Sequence, residues 1–194
     1  MGRSQIVLLA SLIATPALAE STRAAMQEFG IVGTWSVDCS VNVMKSCAAT
    51  KRCVGRITIS APLLGTAKND AVVPTPSDNP LGRSTEIVSA SRVTSDKLRV
   101  AYKINQIING KFQEIKGRSA FLIPTDGEEW ESVYVKKGDK LQVWSSQRTD
   151  SGKISIQNGE QMMPVASWSE DQGPVKQWQS SGQSIPLLER CTGE

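Results

Sequence analysis

From Thr34 onward the chain returns repeatedly to one pattern: an apolar residue at every second position, in short runs closed by Gly, Asn or Asp. Successive side chains of a strand point to opposite faces, so this pattern builds half-buried strands and does not fit a helix. Trp35, Val37 and Cys39 share a face, with Thr34, Ser36 and Asp38 opposite. Ile57 and Ile59 alternate with Arg56, Thr58 and Ser60, and Ile87, Val88, Ala90 and Val93 mark a strand within 84–93. The cleanest run sets Leu98, Val100, Tyr102 and Ile104 against Arg99, Ala101, Lys103 and Asn105. Lys111 to Ile123 follows an Asn109-Gly110 hairpin signal. Trp130, Ser132 and Tyr134, then Leu141, Val143 and Ser145, then Ile154 and Ile156 complete the series, with turns at Lys137-Gly138-Asp139, Asp150-Ser151-Gly152 and Asn158-Gly159.

The sum is about eight strands in a meander, an all-β antiparallel sandwich or barrel. One helix is expected, over Ala24 to Phe29, stopped by Gly30. Two stretches break the rhythm. Ala61 to Gly82 carries Pro62, Pro74, Pro76 and Pro80 and reads as a long loop. Gln161 to Pro186 is rich in Ser, Gln and Gly yet holds Met162, Met163, Trp168 and Trp178. It reads as a segment that covers the barrel mouth or presents a partner surface.

The N-terminus supplies a compartment. Arg3, the apolar run Ile6 to Ala14, Pro16 and the small residues of Ala17-Leu18-Ala19 have the order of a cleaved secretory leader. The run is too short for a permanent membrane anchor. We therefore expect a signal peptide over 1–19, a single domain over 20–194, and export to the periplasm. All four cysteines, Cys39, Cys47, Cys53 and Cys191, follow the leader, which in an exported chain reads as two disulfides. Of the three pairings, the short polar stretch between Cys47 and Cys53 suits a local loop and leaves Cys39 with Cys191.

Several chemistries are excluded. The chain has no histidine, which removes histidine-activated nucleophiles and histidine-ligated metals. No C-x-x-C pair, G-x-S-x-G elbow or phosphate-cradling glycine loop is present. The net charge is +3 with no concentrated basic run, so nucleic acid is not an expected partner. Within the densest acidic group, Glu128-Glu129-Trp130-Glu131, Glu129 and Glu131 share the strand face opposite Trp130 and read as a solvated face rather than an acid–base pair. No catalytic residue, metal site or cofactor is expected. The candidate binding residues are Trp130, Tyr102, Trp144, Met162, Met163, Trp168 and Trp178.

At Gly33-Thr34-Trp35 the chain resembles the lipocalin and wider calycin families, in which a short N-terminal helix precedes a G-x-W first strand of an up-and-down barrel. It also resembles small exported proteobacterial proteins that open on G-x-W-x-x-x-C and close on a basic residue and cysteine, here Arg190-Cys191. The resemblance implies a closed barrel with Trp35 across one end, against Arg148 or Arg190. It implies a non-enzymatic periplasmic protein that holds a hydrophobic or lipid-like small molecule. The other expectation is an envelope-interaction protein whose barrel is filled by its own side chains. The oligomeric state is not legible.

Overall fold

The computed structural model describes residues 14–43, 54–73, 81–108, 127–165 and 177–192. After α1 (Ala14–Phe29) come β1 (Gly33–Ser36), β2 (Arg56–Ser60), β3 (Lys68–Val73), β4 (Leu81–Arg92), β5 (Lys97–Ile108) and β6 (Glu129–Lys137). Then follow β7 (Lys140–Arg148), β8 (Ile154–Gln157), β9 (Glu160–Pro164), β10 (Trp178–Ser184) and β11 (Glu189–Arg190). All are neighbours in one antiparallel sheet of order β10-β9-β8-β7-β6-β5-β4-β3-β2-β1-β11. The meander is as expected. The count is not: the described residues form eleven strands, and their sheet is an open half-barrel with β10 and β11 at its edges.

The extra strands explain the difference. β3 lies inside the stretch expected as loop; its Lys-Asn-Asp start weakens the strand signal, but it pairs with both β2 and β4. β9 and β10 occupy much of the supposed lid over 161–186 and pair with each other at the sheet edge. The expected strand over 111–123, its Asn109-Gly110 turn, Trp168, and the Cys47–Cys53 pair lie outside the described residues. The helix is longer than expected and passes without a break through Ala19 and Glu20, where leader cleavage was placed.

One face of the sheet carries the core. Trp35, Ile59, Ile87, Ala90, Leu98, Val100, Tyr102, Ile104, Trp130, Tyr134 and Leu141 join Met26 and Phe29 of the helix in one buried cluster. Bulges keep these residues on one side where simple alternation fails. Val88 is the extra residue between the pairs Ile87↔Tyr102 and Ser89↔Ala101; it is 61% exposed while Ile87 and Ala90 are buried. Trp144 is the extra residue between Val133↔Ser145 and Tyr134↔Val143, so Ser146 faces inward in place of Ser145.

The curl is recorded by a single bond. Asn69 Nδ2 donates to the Tyr134 hydroxyl at 3.3 Å. β4 and β5 separate the strands that carry them, a path of about 14 Å in a flat sheet. Only a sheet bent around its core brings the two side chains together.

The strand order also fixes which turns share an end. The β2–β3, β4–β5 and β6–β7 connections lie together, and α1 runs across them. Arg23 donates to the Leu63 carbonyl in the β2–β3 loop, Glu28 pairs with Arg92 at the end of β4, and the Lys136 ammonium lies 5.0 Å from the Phe29 ring centroid. The Arg190 guanidinium donates to the Gly30 carbonyl. This is the helix-capped end; the start of β6 and the β7–β8 connection lie at the far end.

Candidate functional site

At the helix-capped end the G-x-W motif has a defined mechanical role. Gly33 adopts φ +143, in the region that disfavours L side chains, and a Cβ there would lie 3.6 Å from the Arg190 guanidinium carbon. Arg190 covers Trp35 with its Cζ 4.9 Å from the ring centroid. The Trp35 indole N–H donates to the Ile31 carbonyl at 2.7 Å. Of the two arginines proposed for this place, Arg190 fills it. The Cys39–Cys191 disulfide follows directly and fastens β11 to β1. Leu188 makes a two-bond bridge to Leu141 of β7, which ties the C-terminal segment to β7 as well as to β1.

The interior holds the first two candidate ligand contacts. Tyr102 and Trp130 are cross-strand partners, and both are buried. The Tyr102 hydroxyl lies 3.1 Å from Ser132 Oγ, which donates to Ser146 Oγ at 2.9 Å. The Trp130 indole N–H donates to Glu128 Oε2 at 2.9 Å. Glu128 also receives Arg148 at 2.8 Å. Only 6% of the Glu128 side chain is exposed, so it is a buried counter-ion and not part of a solvated acidic strip. Glu129 and Glu131 do lie on the outer face, opposite Lys103 and beside Arg99, in loose ion pairs of 3.9 and 3.5 Å.

The charges at the far end form a closed set. The hydrogen bond to Asp150, and then Glu128, hold Arg148 above the ordinary arginine value. Arg148 in turn holds the Asp150 carboxyl below the usual carboxylate range. Partial burial lowers Lys153 against the pull of Glu128. The serine hydroxyls of the interior meet other hydroxyls and no base, and the Glu128 carboxylate is committed to Trp130 and Arg148. Neither arrangement supplies an activated nucleophile or a poised proton donor.

Deeper in the concavity, burial pushes the Tyr134 hydroxyl well above the usual phenol value, with the neighbouring Tyr102 adding to it. Arg83 and the Asn69 hydrogen bond pull in the other direction without reversing the shift.

The remaining candidates are elsewhere. Trp144 is half-buried on the outer face, with the ammonium groups of Lys97 and Lys137 each 5.7 Å from its ring centroid. Met162 and Trp178 share a face of the β9–β10 pair, and Met163, 44% exposed, is on the other. The structure therefore brings Tyr102 and Trp130 together and does not gather the six described aromatics and methionines into one site. The lysines flanking Trp144 were missed because Lys97 lies far in sequence from the Lys136-Lys137 pair. The signal was cross-strand: Lys97 pairs with Val135, two residues before Lys137.

Compared with known proteins, the chain matches no family model, and no match emerges among curated proteins or solved structures.

Proposed function

We propose that the protein is a non-enzymatic module of the cell envelope that acts through its outer surface, its half-barrel filled by its own side chains. The observation that carries this reading is the Asn69–Tyr134 hydrogen bond, which spans the concavity where a ligand would lie. Tyr102 and Trp130 support it: both candidate ligand contacts are buried and their polar atoms already have partners within the chain. Two buried Met26 and Phe29 side chains, inserted from the helix, take further interior volume. Carriers of apolar small molecules need a cavity of hundreds of cubic ångströms. The leader-like N-terminus and the Cys39–Cys191 bridge support placement in an oxidising compartment.

A fluorescent fatty acid tests the proposal. The native protein is expected to show no saturable binding. Tyr134→Ala, which removes the bridging ring, is expected to create a dry space and measurable binding. Saturable one-to-one binding by the native protein would overturn the reading in favour of a ligand carrier.

A further inference from the structure

The helix-capped end combines two features that a purely solvated rim does not need. The first is apolar. Leu63 and Leu64, at the tip of the β2–β3 loop, are 81% and 91% exposed, and Val93 in the β4–β5 turn is also exposed. Two adjacent leucines left almost wholly in water are a contact surface waiting for a partner. Arg23 of α1 donates to the Leu63 carbonyl at 3.3 Å and so ties this loop to the helix.

The second feature is charge. Lys97, Lys136, Lys137 and Lys140 lie on the β4–β5 and β6–β7 turns at this end. None of the four makes an ion pair within 4.0 Å among the described residues; Glu28 pairs with Arg92, Asp96 accepts from the Thr94 hydroxyl and also feels the Lys97 charge, and Asp139 in the β6–β7 turn is one carboxylate among these four lysines. Three of the lysines are held against aromatic rings, Lys136 on Phe29 and Lys97 and Lys137 on Trp144. The helix measures the spacing between the two features. Arg23 touches the leucine loop and Phe29 touches Lys136, a separation of about 9 Å along the axis, comparable to the Debye length of about 8 Å at physiological salt.

We propose that the helix-capped end docks on a bilayer rich in anionic phospholipid, with Leu63 and Leu64 entering the headgroup region and the four lysines facing the phosphates. Exposed aliphatic residues beside unpaired cations are the recurring chemistry of peripheral membrane contact. A protein partner would need a pocket shaped to this convex loop, whereas a bilayer accepts any protruding apolar tip. The inference rests on the reading that the protein acts through its outer surface, and names the surface it meets.

The test is sedimentation of the full chain with vesicles of phosphatidylcholine alone, or of phosphatidylcholine mixed with phosphatidylglycerol. Binding is expected on the mixed vesicles only, and is expected to fall as salt is raised. Removing two charges in Lys137→Gln/Lys140→Gln should weaken it roughly twenty-five-fold, about fivefold per lysine. Leu63→Ser/Leu64→Ser should weaken it at least about tenfold. All four side chains are at the surface, so thermal unfolding should be unchanged and loss of fold is excluded as the cause. Equal binding to both vesicle types, absence of binding to either, or binding that neither double substitution alters would overturn the proposal. The last is also what attachment through the apolar run Ile6–Ala14 alone would give. Binding to polyglutamate but not to vesicles would assign the lysines to an acidic protein partner and equally overturn it. Failure here leaves the fatty-acid experiment untouched, so the two readings fall separately.

Discussion

Gly33 shows how backbone conformation alone can demand one residue type. Its positive φ disfavours any side chain, while a Cβ there would meet Arg190 at an ordinary contact distance of 3.6 Å. Gly33→Ala is expected to cost about 1–3 kcal/mol, read as a lower denaturant midpoint. Trp35→Ala should cost about 3–5 kcal/mol through lost packing; an unchanged midpoint would place Trp35 outside the core. Tyr134 provides a pH signature. Its folded value is raised by burial, so its contribution is complete below the unfolded tyrosine value of about 10 and is lost as pH climbs beyond it. The chain has two tyrosines. An absorbance titration at alkaline pH should show the Tyr134 share appearing together with unfolding, and ionisation of Tyr134 in the intact fold would contradict this. Tyr134→Phe, which leaves the Asn69 amide without its partner, should cost about 1–3 kcal/mol.

The elements that were legible in sequence are those whose chemistry is local. Leu98 to Ile104 alternates cleanly, and β5 forms there. Asn158-Gly159 signals a tight hairpin, and both residues take positive φ between β8 and β9. Gly159→Ala should destabilise this hairpin, since its Cβ would lie 3.2 Å from Gln142 Nε2 and 3.4 Å from Trp144 Cε3. What stayed hidden depends on partners distant in sequence. β3 begins Lys-Asn-Asp and reads as loop, yet Asn69 is buried because Tyr134 on β6 reaches it. Ser146 replaces Ser145 on the inner face because Trp144 bulges, and no period-two count anticipates a bulge. β11 is only Glu189–Arg190 and exists because β1 and the disulfide hold it. The Cys39→Ser/Cys191→Ser variant tests that dependence. The bridge closes a loop of 152 residues, worth about 5 kcal/mol in the chain-entropy account. Its loss should lower the melting temperature by about 10–20 °C and should weaken Arg190 packing on Trp35, seen as altered indole fluorescence.

Taken whole, the molecule is a sheet bent around its own side chains, capped by a helix at one end. The G-x-W start and the meander pointed to a closed barrel, and the sheet curls into an open half of one. Whether a curled sheet carries a ligand or only a core is decided by side chains that cross the concavity, and alternation says which residues face inward without saying whether they meet. Here Asn69 and Tyr134 meet, and the Tyr102, Ser132 and Ser146 hydroxyls meet beside them. Native mass spectrometry of protein purified without added lipid measures the consequence directly. The account expects the mass of the oxidised polypeptide alone, unchanged when activation is raised in the instrument. A small molecule bound in fixed proportion and released as activation rises would contradict it, and would mean that the half-barrel is a container.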